Sequence, residues 1–387
     1  MYSIKTYNKI SKVGLDVFDK ANYEISDNAE APVAALVRSA ALHEEKFPES
    51  LLAIGRAGAG TNNIPTDRCS EEGIVVFNTP SANANAVKEL VLLGLLISSR
   101  RVVPAIEWAR GLKGNGSEVG KMVEKGKGAF VGPEIRGKKL GVVGLGAIGV
   151  LVANAANHLG MTVYGYDPFL SLQNAWNLSH NIIRANDLKE IYENCDYISL
   201  HIPLNKDTKG TIGAEALASM KDGVRILNFA RDGLVDSEAM LAALASGKVA
   251  SYVVDFPTDE MIGVEGVVCI PHLGASTPES EDNCAIMAAK ELIDYVENGN
   301  ITNSVNLPNV SMPRSAEVRI AVIHRNIPNV LTSITSVLGR DNVNIENMLN
   351  KSRGDYAYTL LDVAPCNIDE VVKHIKAVDS IIRVRVI

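Results

Sequence analysis

The chain has 387 residues, which is too long for one compact core and predicts two or three domains. A formal net charge of −7 and the lack of a long basic run argue against a nucleic-acid partner. The five cysteines show no C-x-x-C spacing, so we expect reduced thiols in a cytoplasmic protein, without a disulfide framework and without a metal site.

The sequence shows no signal for membrane insertion. The N-terminus lacks the basic and apolar regions of a signal peptide. The longest apolar run, residues 89–98, is about half of the roughly 20 residues that a membrane span needs. We therefore predict a buried helix at a domain junction there, and no membrane partner.

The first part of the chain, residues 1–82, alternates short apolar runs with turns rich in Gly and Asn. This alternation predicts a small α/β domain with strands at Val33–Val37, Leu51–Gly55 and Ile74–Val76. Arg56 lies beside a glycine-rich turn formed by Gly55, Gly58 and Gly60. An arginine there can bind a phosphate through two hydrogen bonds while backbone N–H groups assist.

Between residues 138 and 275, continuously apolar strands alternate with helical stretches. This pattern predicts a parallel sheet covered on both faces, with ligands bound at the carboxyl ends of its strands. The predicted strands are Leu140–Leu145, Thr162–Tyr166, Asp196–Ile202, Val224–Phe229, Ala250–Phe256 and Val267–Ile270. The predicted helices are Val150–Leu159, Leu188–Glu193, Glu215–Met220 and Ser237–Ala245.

A G-x-G-x-x-G motif follows the first of these strands. Gly144 permits a tight turn, Gly146 lets the backbone approach a pyrophosphate, and Gly149 allows close packing of helix and strand. The next strand ends at Asp167, 18 residues after Gly149. Its carboxylate can accept both ribose hydroxyls of NAD and would repel the 2′-phosphate of NADP. The whole pattern predicts an NAD site.

Three polar residues follow later strands: Arg231, Glu260 and His272. Hydride removal from a 2-hydroxy acid needs a base for the hydroxyl proton and a cation for the carboxylate, and an acid can tune the base. His272, Arg231 and Glu260 fit these three roles in that order. Singly, each residue would be an ordinary loop residue; together, beside a nucleotide site, they predict catalysis.

The last part of the chain begins with a predicted helix at Glu279–Glu297, which we expect to return to the first domain. Residues 303–313 hold two prolines and three asparagines and predict a linker. The remainder has the β-α-β-β-α-β order of a ferredoxin-like domain. Its predicted elements are Val318–His324, a helix after Pro328, Val343–Leu349, Tyr356–Val363, Ile368–Ala377 and Ile381–Ile387.

Several of these blocks resemble the signature blocks of the D-2-hydroxyacid dehydrogenase family. They are residues 144–149, 228–233, 255–258 and 271–277. Residues 54–62 and 78–83 are similar to the members of the family that act on D-3-phosphoglycerate. Residues 324–332 resemble the start of the ACT domain that shorter, serine-regulated members carry.

The resemblance implies a three-part α/β architecture. The expected parts are a Rossmann-like doubly wound parallel sheet (83–274), a flavodoxin-like substrate domain (1–82, with 275–313 as its return and linker), and a ferredoxin-like ACT domain (314–387). It also implies a homodimer across the nucleotide domains, extended to a homotetramer by paired ACT domains. The family's acid usually precedes a proline that is missing here, so ungapped counting selects Glu260 and a one-residue gap selects Asp259.

The resemblance also implies three sets of binding residues. The expected NAD-binding residues are Gly144, Gly146, Ala147, Ile148, Gly149, Asp167, His201, Ile202, Pro203, Thr208, Ala230, Arg231, Asp255, His272 and Gly274. The expected substrate-binding residues are Arg56, Ala57, Asn83, Lys127, Arg231 and His272. The expected residues for an L-serine effector are His324, Asn326 and Asn344.

The function that follows is NAD-dependent oxidation of D-3-phosphoglycerate, with serine as a possible inhibitor. Two alternatives stay open. One is a dehydrogenase for an unphosphorylated acid such as glyoxylate or lactate. The other is a catalytically silent amino-acid sensor that uses only the ACT domain.

Overall fold

The computed structural model describes residues 1–387. The chain divides into two compact units, one made of Met1–Asn83 with Pro278–Ile387 and the other of Ala84–Thr277. No helix in either unit has the length and apolar character that crossing a bilayer would require. Each unit is described in turn below.

The first unit begins with a five-stranded parallel sheet. Its elements in chain order are β1 (Tyr2–Tyr7), α1 (Lys12–Leu15), β2 (Tyr23–Ser26), β3 (Ala34–Val37), β4 (Ala53–Arg56), α2 (Thr66–Glu71) and β5 (Val75–Phe77). The strand order β2-β1-β3-β4-β5 is the flavodoxin-like order. The three predicted strands are confirmed as β3, β4 and β5. We did not predict β1 and β2, because both are short and lack a continuous apolar run.

The second unit contains most of the helices. Its elements are α3 (Ala84–Arg100), α4 (Val102–Arg110), α5 (Val119–Gly126), β6 (Lys139–Val143), α6 (Ala147–His158), β7 (Thr162–Tyr166), α7 (Leu172–Asn177), β8 (Ile183–Arg184), α8 (Leu188–Asn194), β9 (Tyr197–Leu200), α9 (Ala214–Ser219), β10 (Val224–Asn228), α10 (Ser237–Ala245), β11 (Val249–Val254) and β12 (Val267–Cys269). Side chains of Ser171, Asp187 and Asp236 each accept the N–H three residues on, which fixes where α7, α8 and α10 begin.

The seven strands of this unit form one parallel sheet in the order β12-β11-β10-β9-β6-β7-β8. This is the doubly wound Rossmann-like order, and the chain reverses direction across the sheet between β6 and β9. Ligands of such sheets bind at the carboxyl ends of the two strands that flank this switch point. Here those ends are Val143 and Leu200. The predicted parallel sheet is confirmed, with β8 as a short extra strand.

The chain then returns to the first unit through a long helix. The remaining elements are α11 (Pro278–Asn298), β13 (Val318–Arg325), α12 (Val330–Arg340), β14 (Ile345–Arg353), β15 (Tyr356–Val363), α13 (Ile368–Lys376) and β16 (Ile381–Val386). α11 packs on the first sheet, where Leu292 lies beside Gly55 and Leu36. The last four strands form an antiparallel sheet in the order β14-β15-β13-β16, so the chain ends in an antiparallel α+β domain.

The predicted linker at residues 303–313 is wrong as a description of this segment. Leu307 and Val310 are completely buried in the first unit, and Ile301 bridges Val310. Asn306 accepts from Val76 N and donates to Ile74 O, so its side chain continues the hydrogen bonding of β5. The asparagines that we took for loop residues therefore satisfy backbone groups of a packed segment.

The C-terminal sheet is attached to the same unit through donors that face backbone carbonyls. Tyr358 Oη donates to Gly299 O at 2.7 Å, and Arg385 Nη2 donates to Val296 O at 2.9 Å, both at the end of α11. The buried Arg319 pairs with Asp362 and also donates to Met312 O. The bonds from Tyr358 and Arg385 satisfy carbonyls that the end of α11 would otherwise leave free.

Candidate functional site

The glycine turn after β6 has the geometry that its sequence predicts. Gly144 has a φ of +92°, and a side chain there would lie 2.5 Å from the carbonyl oxygen of His201. A side chain on Gly149 would lie 1.9 Å from Gly144 O, so the helix can approach the strand only without one. At Gly146 a side chain would meet nothing within 4 Å. The turn is closed at Gly144 and Gly149 and open at Gly146.

The open position lies at the start of α6, a helix of 12 residues. The first N–H groups of a helix have no partner within it, and the helix dipole adds positive charge there. Residues 146–149, including Ala147 and Ile148, therefore offer backbone donors beside open space. This arrangement fits a dinucleotide pyrophosphate, with glycines where a Cβ would block it.

Asp167 stands directly beside this turn. Its Oδ2 accepts from Leu145 N at 2.8 Å, and its Oδ1 accepts from Phe169 N at 2.8 Å. Each carboxylate oxygen has a second lone pair. The acid is thus held in place by the turn and can still accept hydroxyl groups of a ribose.

The segment after β9 lies on the other side of the switch point. His201 N donates to Val143 O, and His201 Nε2 is 2.8 Å from Ser199 Oγ. Burial lowers the pKa of His201 to about 4, so its ring is neutral at physiological pH. The Thr208 hydroxyl donates to Pro203 O at 2.6 Å. This hydroxyl stabilises the loop that carries Ile202 and Pro203.

The loop after β10 carries Arg231. The buried Asn228 accepts from Ala230 N through its Oδ1 and donates from its Nδ2 to Arg231 O at 2.9 Å. The Arg231 side chain is exposed and donates only to the carbonyl of Ala230. Asp232 is exposed and accepts from Gly233 N, so its carboxylate is directed to solvent. Asn228 holds the loop, a role that its place in the block 228–233 did not predict.

A buried acid holds the turn that carries His272. Asp255 is 1% exposed, and its two oxygens accept from Leu273 N at 2.7 Å and from Gly274 N at 2.9 Å. Burial raises the pKa of Asp255. His272 adopts a φ of +54°, and its exposed ring packs on Phe256 with centroids 4.7 Å apart. The turn is therefore fixed from inside while the imidazole stays accessible.

The structure does not join either candidate acid to His272. Asp259 and Glu260 are both exposed in the turn after Thr258, and neither makes a hydrogen bond or an ion pair with the imidazole. Met261 N and Ile262 N donate to Thr258 O, which shapes this turn. We expected a contact from the residue types alone, and spacing in the sequence does not define the direction of an exposed side chain.

Arg56 ends β4 in the first unit. Its Nε is buried and has no hydrogen-bond partner, and burial lowers the pKa of its guanidinium. The guanidinium packs on Gly58, where a Cβ would lie 1.3 Å from Arg56 Nη1. Ala57 is buried and donates its N–H to Val37 O. A desolvated cation without a partner favours binding of an anion.

Two residues that we gave no role hold the Arg56 turn. Asn78 Nδ2 donates to Ala59 O at 2.6 Å, and Thr79 N donates to Gly58 O at 3.1 Å. Asn83 is half-buried directly before α3. In the second unit, the exposed Lys127 follows α5 and pairs with Glu124.

The predicted effector residues do not form one site within a single chain. His324 is buried, with Nδ1 2.8 Å from Arg325 O and Nε2 3.0 Å from Thr359 Oγ1, so both ring nitrogens have partners. Asn326 Nδ2 donates to Gly354 O near one end of the sheet. Asn344 precedes β14, whose first residue pairs at the other end. For His324, sequence could not show that the ring points into the domain.

Comparison with known proteins agrees with this geometry. Residues 96–274 match the family described as the D-isomer specific 2-hydroxyacid dehydrogenase, NAD binding domain. The chain is 34% identical over 352 residues to a D-3-phosphoglycerate dehydrogenase of Escherichia coli (strain K12), which covers 88% of this chain and 82% of that protein.

Two solved structures share the architecture. An NAD+-bound 3-phosphoglycerate dehydrogenase of Entamoeba histolytica is 27% identical, with a TM-score of 0.58 over 79% of this chain and 98% of that one. The apo D-mandelate dehydrogenase of Rhodotorula graminis is 23% identical, with a TM-score of 0.66 over 81% of this chain and 99% of that one. The second likeness concerns the fold alone.

Proposed function

Because the chain belongs to the D-isomer-specific 2-hydroxyacid dehydrogenase family, we propose that it oxidises D-3-phosphoglycerate to 3-phosphohydroxypyruvate, the entry step of serine synthesis. It is an NAD-dependent dehydrogenase. The observation that carries the choice of substrate is Arg56, a half-buried cation at the end of a strand, whose buried Nε has no hydrogen-bond partner. An unphosphorylated 2-hydroxy acid would leave that cation unpaired.

The turn after β6 supports a position for the cofactor. The N–H groups of residues 146–149 would bind the pyrophosphate, and Asp167 would accept the ribose hydroxyls. The further residues that would hold the cofactor lie in the segments of His201, Thr208, Ala230, Asp255 and Gly274. NAD, when bound, supplies the acceptor for the substrate hydride.

The chemistry assigned to the chain is proton transfer and charge pairing. His272 accepts the proton of the C2 hydroxyl as the C2 hydride leaves, and Arg231 pairs with the substrate carboxylate. Glu260, or Asp259 as the alternative, supports the imidazolium that results. Both acids are exposed and make no hydrogen bond to another side chain. Asn83 and Lys127 complete the substrate contacts.

A substrate screen tests this function. NADH formation should be measured with D-3-phosphoglycerate, D-glycerate, D-lactate and glycolate at equal concentrations. We expect kcat/KM for the phosphorylated acid to exceed that for D-glycerate, which differs only by the phosphate, by at least about 100-fold, since two charge-assisted hydrogen bonds are lost. Equal rates with glycerate would support the unphosphorylated class. Bound NAD without any turnover would support the amino-acid sensor.

The C-terminal α+β domain is proposed to be an ACT domain that binds L-serine between two copies of the chain. Strand β14 is an edge strand with largely exposed residues, so a second copy can pair with it. Antiparallel pairing would bring Asn344 of the partner subunit towards the end of the sheet that carries Asn326. His324 would act by holding this end of β13, through the carbonyl of Arg325, and not as a direct ligand.

Assembly and inhibition can be tested together. We propose a homodimer through the nucleotide domains and a homotetramer when the C-terminal domains pair. Asn344→Ala should relieve inhibition by millimolar L-serine while uninhibited turnover stays within about twofold, since the residue is exposed and far from the NAD turn in the sequence. Equal activity with and without serine in the intact assembly would leave the domain a role in assembly alone.

A further inference from the structure

A carboxyl group that the reaction does not use is buried in helix α11. Glu291 is 6% exposed, and it is the only acidic side chain buried along this helix. Its Oε1 accepts from Asn303 Nδ2 at 2.7 Å, whereas its Oε2 is buried and has no partner. A buried carboxyl group with one unpaired oxygen lowers the stability of the fold, and such groups are rare unless they have a specific role.

Asn303 links this acid to the turn that carries Arg56. It has a φ of +57°, and its carbonyl accepts from Asn78 N at 3.3 Å. Asn78 in turn donates from its side chain to Ala59 O at 2.6 Å. The next residue, Thr79, donates to Gly58 O at 3.1 Å. Each step is a hydrogen bond within one compact unit.

The turn at the end of this series supports the guanidinium. Gly58 has a φ of +145° and lies directly against Arg56, closer than any side chain would allow. A displacement of Gly58 or Ala59 therefore moves the surface on which the guanidinium rests. Precise placement matters, because a bidentate hydrogen bond to a phosphate depends on geometry as well as on charge.

We infer that Glu291 and Asn303 are positioning residues that hold the 56–60 turn, and through it the Arg56 guanidinium, in the geometry that binds the substrate phosphate. This inference rests on the proposed function for the identity of the anion, but the support given to the turn does not depend on it. Loss of the carboxyl group removes the acceptor of the half-buried Asn303 amide, and with it the bond that joins helix α11 to this series.

The test compares four single variants and the double variant Glu291→Leu/Asn303→Gly. Glu291→Leu and Asn303→Gly remove the two halves of the hydrogen bond, and glycine is chosen because it accepts the positive φ. Glu291→Gln keeps an acceptor for Asn303. Tyr23→Phe is the matched control, because Tyr23 bonds Glu297 on the same helix, away from the 56–60 turn.

We expect Glu291→Leu and Asn303→Gly to raise KM for D-3-phosphoglycerate by roughly 3- to 10-fold, with kcat within about twofold, as one lost hydrogen bond allows. The double variant should raise KM no more than either single variant does, because both substitutions remove the same hydrogen bond. Glu291→Gln should restore KM to within about twofold, and Tyr23→Phe should leave it unchanged although it also removes a bond from α11. A purely structural role would lower stability in all variants without this pattern.

Amide hydrogen exchange tests the support of the 56–60 turn independently of the substrate that the enzyme oxidises. Exchange at Asn78 and Thr79 should quicken in Glu291→Leu and Asn303→Gly and not in Tyr23→Phe, whatever the enzyme oxidises. Faster exchange without turnover of phosphoglycerate would contradict the proposed substrate and support the positioning. Unchanged exchange at both amides in Glu291→Leu would overturn the positioning.

Discussion

Two glycine-rich turns follow parallel strands in this chain, and they are built for anions in opposite ways. The turn at residues 144–149 opens helix α6 and offers backbone N–H groups beside an open Gly146. The turn at residues 56–60 opens no helix directly and uses Gly58 to make room for the Arg56 guanidinium. In the first turn, glycine leaves space for a ligand to approach the backbone. In the second turn, glycine leaves space for the Arg56 guanidinium to pack against the backbone.

The difference indicates what each turn can distinguish. Backbone donors and a helix dipole accept any phosphate that fits, so selectivity at the first turn must come from Asp167 beside it. A guanidinium is a permanent charge with fixed donor geometry, and its burial disfavours any state without an anion. Under the proposed function, the second turn therefore favours a substrate that carries negative charge. Neither turn offers a group for proton transfer, the role that we propose for His272.

The largest predicted effect is on kcat, when His272 is replaced and NAD binding is left intact. His272→Gln should lower kcat by roughly 100- to 10,000-fold, as loss of a general acid–base does, while NAD affinity stays within a few-fold. Stopped-flow turnover and NADH fluorescence titration measure the two quantities. A normal rate in this variant would contradict the proposed mechanism.

The acid that supports the imidazole can be identified by comparing the pH–rate profiles of Asp259→Asn and Glu260→Gln.

The closed and open positions of the first turn give a matched pair. Gly149→Val should destabilise the second unit by about 1–3 kcal/mol or more, because the new side chain meets Gly144 O. Gly146→Val has nothing to meet, so its melting temperature should stay close to that of the wild type while NAD affinity falls at least about 10-fold through the lost approach. If Gly146→Val bound NAD normally, the backbone at this turn would not contact the pyrophosphate.

At the second turn, replacing Arg56 should increase the stability of the fold and weaken substrate binding. Arg56→Met should raise the melting temperature, because it removes a buried nitrogen without a partner, and should lower kcat/KM for phosphoglycerate by about 10- to 100-fold. Arg38→Met is the control for stability, since Arg38 is exposed and paired with Glu281, a kind of pair that contributes little. Millimolar inorganic phosphate should stabilise the wild type and not Arg56→Met. A drop in melting temperature for Arg56→Met would contradict this account of the turn.

The first turn could be predicted from sequence almost completely, whereas the second could be predicted only in part. Every feature of residues 144–149 depends on glycine spacing and on an apolar strand, and both are local. For Arg56 the sequence showed the cation and its glycines but not the missing partner. The turn beside Arg56 is also hydrogen-bonded through Asn78 and Asn303 to Glu291, and because these residues are distant in sequence, no periodicity predicts their bonds.

Errors elsewhere have the same physical origin. β1 was missed because it lacks the continuous apolar run by which the other strands were predicted. The packed segment 303–313 was taken for a linker because it lacks a helical period. His324 was predicted to face a ligand, but the ring bonds Thr359 across the sheet. Side-chain direction within a strand depends on register with its neighbours, which a single sequence does not contain.

Charge and loop support can be separated at Asp167. Asp167→Asn keeps one acceptor for the turn but loses the charge, and Asp167→Ala loses both. We expect both variants to weaken NAD binding about 10-fold, as loss of charged hydrogen bonds does, and to narrow the preference over NADP. Only Asp167→Ala should also lower the melting temperature, because it frees Leu145 N. Equal use of NADP by the wild type would contradict the assignment of this acid.

The smallest predicted effect concerns the acid beneath the second turn. Burial raises the pKa of Glu291 to about 8, opposed only by the bond from Asn303. Between the unfolded value of about 4.3 and this folded value, the folded chain keeps a proton that the unfolded chain has lost. The free energy of unfolding should therefore fall as pH rises from 5 to 8, and this contribution is fully present only at the acidic end of the window. Glu291→Gln cannot titrate, so its melting temperature should lose less between pH 5 and pH 8 than that of the wild type, by a few degrees. Glu297→Gln, an exposed change on the same helix, should follow the wild-type slope. Parallel slopes for the wild type and Glu291→Gln would mean that the carboxyl group is already ionised at pH 5, and the turn would then rest on a buried charge.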